Sequence, residues 1–421
     1  MSARHVIPPK TKIHRNEDTK LKVIVVGAGL GGLGAAIAIL LAGHDVQVLE
    51  SASEIAEVGA GIQILPNSSR ILQTWGMYSM LEPYATKPKK VNMLGWKGNH
   101  ISSLDTHASA SKYPGSFYWD FHRANLHRCL YDRAVELGAV VRVNSRVTNV
   151  LTGLGDYGEK AAVVLDDGRE MQGDLVVGAD GINSKLREVM LGREDPPTPT
   201  GDLAYRLLLS TKEMMKDPEL RSFVEDPQVN YWLGPDAHAA NSDEDIRIPK
   251  LLSMCESVSK WKLQIRLGMD SWSHPSGSFT MLGDAVHATL PYLASGAGMS
   301  LEDAAVLGEV LSRLPSTQAI SSLQIIAFKK HALEVYEKCR APRTRMVVER
   351  GNLQQYLYHL HDGTEQEERD RKLKMVPTPP GEALAWRDPD LSPRLLGYDF
   401  VKDVEKAWPS GEGRSELMAK I

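Results

Sequence analysis

Apolar positions along this chain fall into patterns of two lengths. Short continuous runs at 23–26, 174–177 and 278–282 read as strands buried on both faces. Longer runs with helical spacing cover 33–41, 69–75, 126–137 and 301–311. Glycines close three of these helices, at Gly43, Gly76 and Gly138. Further strands are expected at 45–49, 90–96, 117–121, 140–143 and 146–151. The runs 161–165 and 169–172 flank Asp166-Asp167-Gly168 and predict a hairpin. From Gly201 the pattern changes. Strands at 203–209 and 229–233 enclose a charged helix at 212–224, followed by a helix at 249–257 and a strand at 262–266. This reads as the core of a second, substrate-covering domain. The helical stretch 323–347 is expected to break at Pro342. The charge run 365–374 reads as a solvated helix face or loop, and 399–408 as a short last helix.

The stretch 21–50 carries the strongest chemical signal. A strand runs into Gly27-Ala28-Gly29-Leu30-Gly31-Gly32, which fits G-x-G-x-x-G. Gly27 suits the sharp turn, Gly29 a close backbone approach to a pyrophosphate, and Gly32 the packing of helix on strand. The helix that follows aims its first N–H groups at an anion. Glu50 ends the second strand, about twenty residues past the glycines, where a carboxylate accepts from a ribose 2′-OH. That acid favours an unphosphorylated ribose, FAD or NAD, over NADP.

Composition narrows the class. The 421 residues suffice for two cores; they are 42% hydrophobic and 24% charged, with a formal net charge of −4. That charge gives no general attraction to nucleic acid or anionic lipid. Cys129, Cys255 and Cys339 lie far apart without metal-ligand spacing, so no metal site is expected. Free thiols suggest a reducing compartment, and a cytoplasmic protein is the expectation. Residues 1–20 read as a flexible polar tail without a signal-peptide core, and no stretch is expected to span a membrane.

Three further places offer candidate chemistry. Gly59-Ala60-Gly61 leaves a bare backbone suited to a flat ring or a phosphate, or to a tight turn. Arg123, at the head of a helix, meets a phosphate or ribose, or is a surface arginine. Asp180, with Gly181 at a strand end, suits ribose or pyrophosphate; Ser184 and Arg187 follow on the next turn. After the strand at 278–282 come Gly283-Asp284, His287, Pro291 and Gly296-Ala297-Gly298, the last opening another helix toward something electron-rich. His287 reads as structural more readily than catalytic. Glu302 and Asp303 are expected to cap and charge the first helical turn.

Taken in order, the glycine-rich unit ending at Glu50, Gly178-Ala179-Asp180-Gly181, and Gly283-Asp284 with His287, Pro291 and Gly296-Ala297-Gly298 resemble the FAD-dependent aromatic hydroxylases. These are the p-hydroxybenzoate hydroxylase-like flavoprotein monooxygenases, and the detail is most similar to the fungal salicylate hydroxylase branch. The resemblance extends from about residue 21 to the end of the chain. It implies an α/β fold: a Rossmann-like FAD-binding domain of the glutathione reductase type, an interleaved α+β substrate domain, and C-terminal helices. The expected division is 21–88, 122–200 and 275–345 for FAD, 89–121 and 201–274 for substrate, and 346–421 as a helical, Pro-rich end.

The resemblance also implies roles. Gly27, Gly29 and Gly32 would cradle the FAD pyrophosphate and Glu50 the adenosine ribose. Gly61 and Arg123 would meet the ribityl-phosphate side. Asp180 lies in a motif used for both FAD and the nicotinamide cofactor. Asp284 would bind the ribityl chain, and the segment with Gly296 and Ala297 would follow the isoalloxazine edge. NADH or NADPH would reduce FAD, O2 would give a flavin C4a-hydroperoxide, and an electron-rich ring would take its distal oxygen. The substrate would be a phenolic or aromatic carboxylic acid, such as salicylate or a polyketide-derived aromatic, with CO2 lost if the hydroxyl enters at the carboxylated carbon. Arg206 and Tyr231, on two strands of the substrate domain, are the candidates for holding its carboxylate or phenolate.

One departure from the family pattern matters. After Ala240 the chain reaches Pro249 almost at once, where family members continue into further sheet strands. Such a loss would leave an unpaired edge and open the pocket to water. Two alternatives follow from it: a catalytically impaired FAD-binding protein, and a flavin oxidase or reductase that inserts no oxygen.

Overall fold

The computed structural model of the chain describes residues 19–55, 60–238, 247–315, 321–381 and 385–408. Most of the expected tail, the shortened segment at 239–246 and Gly59 lie outside these residues.

A five-stranded parallel sheet carries the fold. Its order is Phe279–Met281, Leu175–Gly178, Lys22–Val26, Asp45–Leu49 and Val140–Arg142. The three runs read as doubly buried strands thus lie side by side, from one edge of the sheet to its centre. Val25, Val176, Val177 and Met281 are wholly inaccessible, as continuous apolar runs require when both faces are covered. One face is covered by the helices Leu30–Leu41 and Gly296–Ser312, which pack on each other. Gly308 permits this contact, since a Cβ there would meet the Ala38 backbone at 2.8 Å. Against the sheet lies an antiparallel meander, Val147–Leu154, Lys160–Leu165 and Glu170–Gly173, with Gly173 pressed on Lys22 and Ile24.

Other strands form smaller sheets. Ala237–His238, Val229–Gly234, Lys90–Gly95 and His100–Asp105 make one of four strands. Gly61–Ile64 pairs with Trp119–His122, and Thr198–Arg206 with Ser259–Ile265, as two separate ribbons. Among the described residues the second ribbon has no further strand at either edge. Leu203, Tyr205 and Trp261 on it are 44%, 56% and 46% exposed.

Several elements differ from the sequence reading. The strand expected at 203–209 starts earlier, at Thr198, because it pairs with the strand at Ser259–Ile265. The charged helix at 212–224 is two short helices, Thr211–Met214 and Arg221–Glu225. The strands Gly61–Ile64 and His100–Asp105 were hidden by glycine and by polar residues. The largest difference is at Pro342: one helix, Ser322–Tyr358, runs straight through it. Proline removes one ladder hydrogen bond, but Arg340 and Arg343 on either side are buried in ion pairs that hold the backbone in place.

Candidate active site

The sheet's carboxyl ends open onto a groove made of two adjoining cavities. One, of about 370 Å³, is lined by Gly29, Gly61, Gln63, Asp284, Gly296 and Ala297. The other, of about 630 Å³, is lined by Ala28, Glu50, His127, Asn183, Trp261 and Lys262. Gly29, Arg123, Arg206 and Asp284 border both. Residues from four distant parts of the sequence therefore meet, as ligand sites in open α/β sheets do.

The three fingerprint glycines have distinct geometries. Gly27 has φ +102°, a conformation that side chains resist, and a Cβ would run into the Ala179 carbonyl. A Cβ on Gly32 would lie 2.0 Å from the Gly27 oxygen, so this glycine serves helix–strand packing. A Cβ on Gly29 would meet nothing within 4 Å; it points into the groove. Gly29 is thus bare toward a ligand rather than toward the protein. The loop is held from behind: His127 Nε2 lies 2.7 Å from the Ala28 carbonyl, and Glu50 Oε2 accepts the Ala28 N–H at 2.8 Å. Glu50 Oε1 accepts the Ala52 N–H at 2.8 Å. Burial pushes the Glu50 carboxyl up, but these N–H groups and the Ser51 hydroxyl outweigh it and hold it below its ordinary value.

Asp180 is placed differently from its neighbours. Its carboxylate accepts the Ser184 hydroxyl at 2.6 Å and the Lys185 and Leu186 N–H groups at 2.8 and 3.0 Å, capping the helix Lys185–Leu191. Ala179 and Gly181, not Asp180, line the groove. Arg187 is buried behind it, donating to the Leu267 and Val286 carbonyls and to Asp195. Asp284 lines both cavities and is exposed to the open groove, although protein packs densely around its carboxyl. Burial raises its carboxyl, while His287 and Arg123 draw it back down.

Behind Asp284 lies a cluster that sequence reasoning missed. Glu302 and Asp303 do not merely charge a helical turn; both are fully buried. Asp303 accepts the Gly283 N–H at 2.9 Å, His287 Nε2 at 2.6 Å and Arg340 Nε at 2.7 Å. Glu302 accepts Arg340 at 2.8 Å, Arg343 at 2.6 Å and the Asn67 amide at 2.6 Å. His287 is a structural partner here, as its motif suggested. The cluster ties the Gly283–Asp284 turn, the helix Gly296–Ser312 and the long helix Ser322–Tyr358 into one unit. Burial raises the Asp303 carboxyl, but His287 and Arg340 prevail and hold it down at about 2.

At the start of the helix Gly296–Ser312, the N–H groups of Gly296, Ala297 and Gly298 have no carbonyl within the helix to bond, and Gly296 and Ala297 face the smaller cavity. A bare glycine facing the groove, a carboxylate at the second strand's end and orphan helix N–H groups over the far cavity suit a dinucleotide with one anionic middle and a flat ring at one end. These residues fit FAD.

Comparison with known proteins decides the family. Residues 20–269 match the family described as "FAD binding domain". The chain is 35% identical to "FAD-dependent monooxygenase OpS4" of Beauveria bassiana, over 92% of this chain and 97% of that one. It is 30% identical to "3-amino-4-hydroxybenzoate 2-monooxygenase" of Streptomyces cremeus, over 92% and 98%. The protein is an FAD-dependent monooxygenase of the aromatic hydroxylase family. Its fold is shared with a salicylate hydroxylase captured as a substrate complex, at TM-score 0.70 and 20% identity over 93% of this chain and 99% of that one. The OpS4 alignment spans 432 positions, yet 92% of 421 residues is about 387. About 45 aligned positions therefore have no residue in this monooxygenase.

The two candidate catalytic residues fall in different places. Arg206 borders both cavities, its guanidinium 5.4 Å over the Trp261 ring. Burial, then nearby Arg123, lowers its pKa. Tyr231 is not on the groove wall. It is half-buried among aromatic rings, 5.6 Å from Tyr358 and 6.1 Å from Trp386, and its hydroxyl donates to Gln63 Oε1 at 3.0 Å. His238 sits beside it, 2.9 Å from His359 and 5.0 Å ring to ring from Tyr292. Burial and His359 push His238 down to about 4, so it is neutral at pH 7. Tyr358, His359 and Trp386 come from the C-terminal part of the chain, which the sequence reading had kept apart from the site. Among the described residues no helix is long and apolar enough to cross a membrane.

Proposed function

We propose that this monooxygenase uses NADH or NADPH and O2 to hydroxylate a phenolic or aromatic carboxylic acid, with loss of CO2 where the hydroxyl enters at the carboxylated carbon. One observation carries the reading: a second arginine, the partly desolvated Arg206, stands on the groove wall beside Arg123. Arg123 suits the phosphate or ribityl side of the cofactor. Arg206 is then left for the anion of the substrate, as a planar donor matched to a carboxylate. The names of the relatives point the same way, since the Streptomyces protein and a Klebsiella oxytoca "3-hydroxybenzoate 6-hydroxylase" (26% identical over 78% of this chain and 86% of that one) are named for hydroxybenzoates.

When bound, FAD supplies the activation of oxygen. The chain's own residues do the rest. Gly27, Gly29 and Gly32 shape the pyrophosphate loop, and Glu50 meets the adenosine ribose. Gly61, Arg123 and Asp284 take the middle of the cofactor. Asp180 shapes the loop of Ala179 and Gly181 by capping the next helix. The N–H groups at Gly296 and Ala297 place positive charge along the ring edge, where negative charge collects on reduction.

A second reading rests on the missing alignment positions and the bare ribbon Thr198–Arg206 with Ser259–Ile265: an FAD-binding protein whose shortened substrate domain, cut after Ala240, leaves turnover uncoupled or lost. NADH and NADPH oxidation against a panel of hydroxybenzoates, with products identified by mass, separates the readings. A product heavier by one oxygen, or with CO2 exchanged for OH, supports the hydroxylase. Peroxide without product supports an oxidase-like enzyme. A yellow protein with no turnover supports the impaired one.

A further inference from the structure

Gln63 and Asp120 are cross-strand partners in the ribbon Gly61–Ile64 with Trp119–His122, so their side chains leave the same face. Gln63 lines the smaller cavity. Its amide has a donor end and an acceptor end, and both are engaged. Tyr231 donates its hydroxyl to Oε1 at 3.0 Å, and the amide nitrogen donates to the Asp120 carboxylate. The Asp120 backbone is fixed by reciprocal bonds with Thr86, at 2.8 and 2.9 Å.

We propose that Asp120 is a positioning residue whose protonation state sets which end of the Gln63 amide faces the cofactor cavity. An ionised carboxylate only accepts, so it holds the amide nitrogen and turns the carbonyl to Tyr231; the spare N–H is then offered to the cavity. A protonated carboxyl donates, and the amide does best by turning over. Tyr231 then accepts from the nitrogen, and the cavity meets the carbonyl edge instead. The inference rests on FAD occupying that cavity.

The titratable groups around Asp120 include Tyr231, Lys87 and His122, and Asp284 lines the same cavity as Gln63. Burial pushes the Asp120 carboxyl up to about 6, opposed by Gln63. Tyr231, from the facing sheet, is driven well above its ordinary range by burial, by Tyr358 and by Asp120, so it stays protonated. Lys87, on the bridging segment, is held by Glu82 at 2.9 Å. His122, two residues along, accepts the Ala124 N–H at 3.3 Å through Nδ1.

The test is the visible flavin band of the FAD-loaded full chain, titrated from about pH 5 to about pH 8. The wild-type band should shift in one step centred near pH 6. Asp120→Asn, which cannot ionise, should lose the step. Gln63→Met, which removes both hydrogen bonds and leaves Asp120 in place, should lose the step as well. It stands in if Asp120→Asn does not fold. No step in the wild type, or a step that persists in either variant, overturns the proposal. A wild-type protein that takes up no FAD fails earlier, at the cofactor reading itself.

Discussion

Asp303→Asn removes one charge from the buried cluster while keeping the side chain's shape. Three donors converge on that carboxylate: Arg340, His287 and the Gly283 N–H. An amide accepts through one oxygen only, and its NH2 end must face a donor whichever way it turns. Removing one partner of a buried ion pair costs about 3–5 kcal/mol. Arg340 keeps Glu302 at 2.8 Å, which places the expected loss near the lower end, about 3–4 kcal/mol. Urea unfolding followed by tryptophan fluorescence reads this directly. FAD affinity should fall about tenfold or more, because the Gly283–Asp284 turn loses its anchor. The acid limb supplies a second check. The Asp303 pKa is held at about 2, below the 3.8 of the free group. Its contribution is therefore complete above about pH 4 and lost as pH falls from there toward 2. The asparagine variant should lack that part of the acid loss. Arg128→Gln, which breaks an exposed pair with Asp132, should change nothing measurable. Loss of under about 0.5 kcal/mol in Asp303→Asn, with FAD affinity intact, would refute the view that the cluster holds the site.

Other substitutions separate binding from folding. Gly29→Ala should unfold like the wild type, within about 0.5 kcal/mol, yet bind FAD more than tenfold more weakly, because its Cβ enters the groove and touches no protein atom. Gly32→Ala should do the reverse and cost about 2 kcal/mol or more of stability, since its Cβ meets the Gly27 oxygen. Arg206→Gln should raise the KM for an aromatic acid about 10–100-fold and leave FAD uptake nearly unchanged, the loss expected for a charge-assisted bond of about 1.5–3 kcal/mol; steady-state kinetics with a saturating nicotinamide cofactor would show it, and an unchanged KM would remove Arg206 from the substrate site. Pro342→Ala should stabilise the protein by about 1–3 kcal/mol, because the helix already runs through that position without the proline's N–H; destabilisation in urea would show that proline itself shapes the helix.

What was legible in the sequence follows from how local each feature is. The glycine loop, its strand and its helix are decided within thirty residues by turn geometry and apolar spacing, and the structure reproduces them, with the helix starting earlier than expected, at Leu30. Pairing between distant segments left no such trace. Asp303 and Arg340 are 37 positions apart, and an acid early in a helix has an ordinary local reason to be there. Arg206 and Tyr231 lie on successive long strands, which suggested one pocket wall. Register separates them: Arg206 pairs with Ser259 in the isolated ribbon, and Tyr231 with Met93 in the four-stranded sheet. Asp180 shows a milder form of the same effect, since Ser184 and the backbone beyond it claim its oxygens. Pro342 shows the strongest form. A local rule favoured a break there, and tertiary burial overrode it, because Arg340 and Arg343 are clamped one turn inside the protein by Glu302 and Asp303. The long helix is therefore vulnerable at Glu302 and Asp303, the buried acids of another helix that pair with its arginines, and tolerant at its proline.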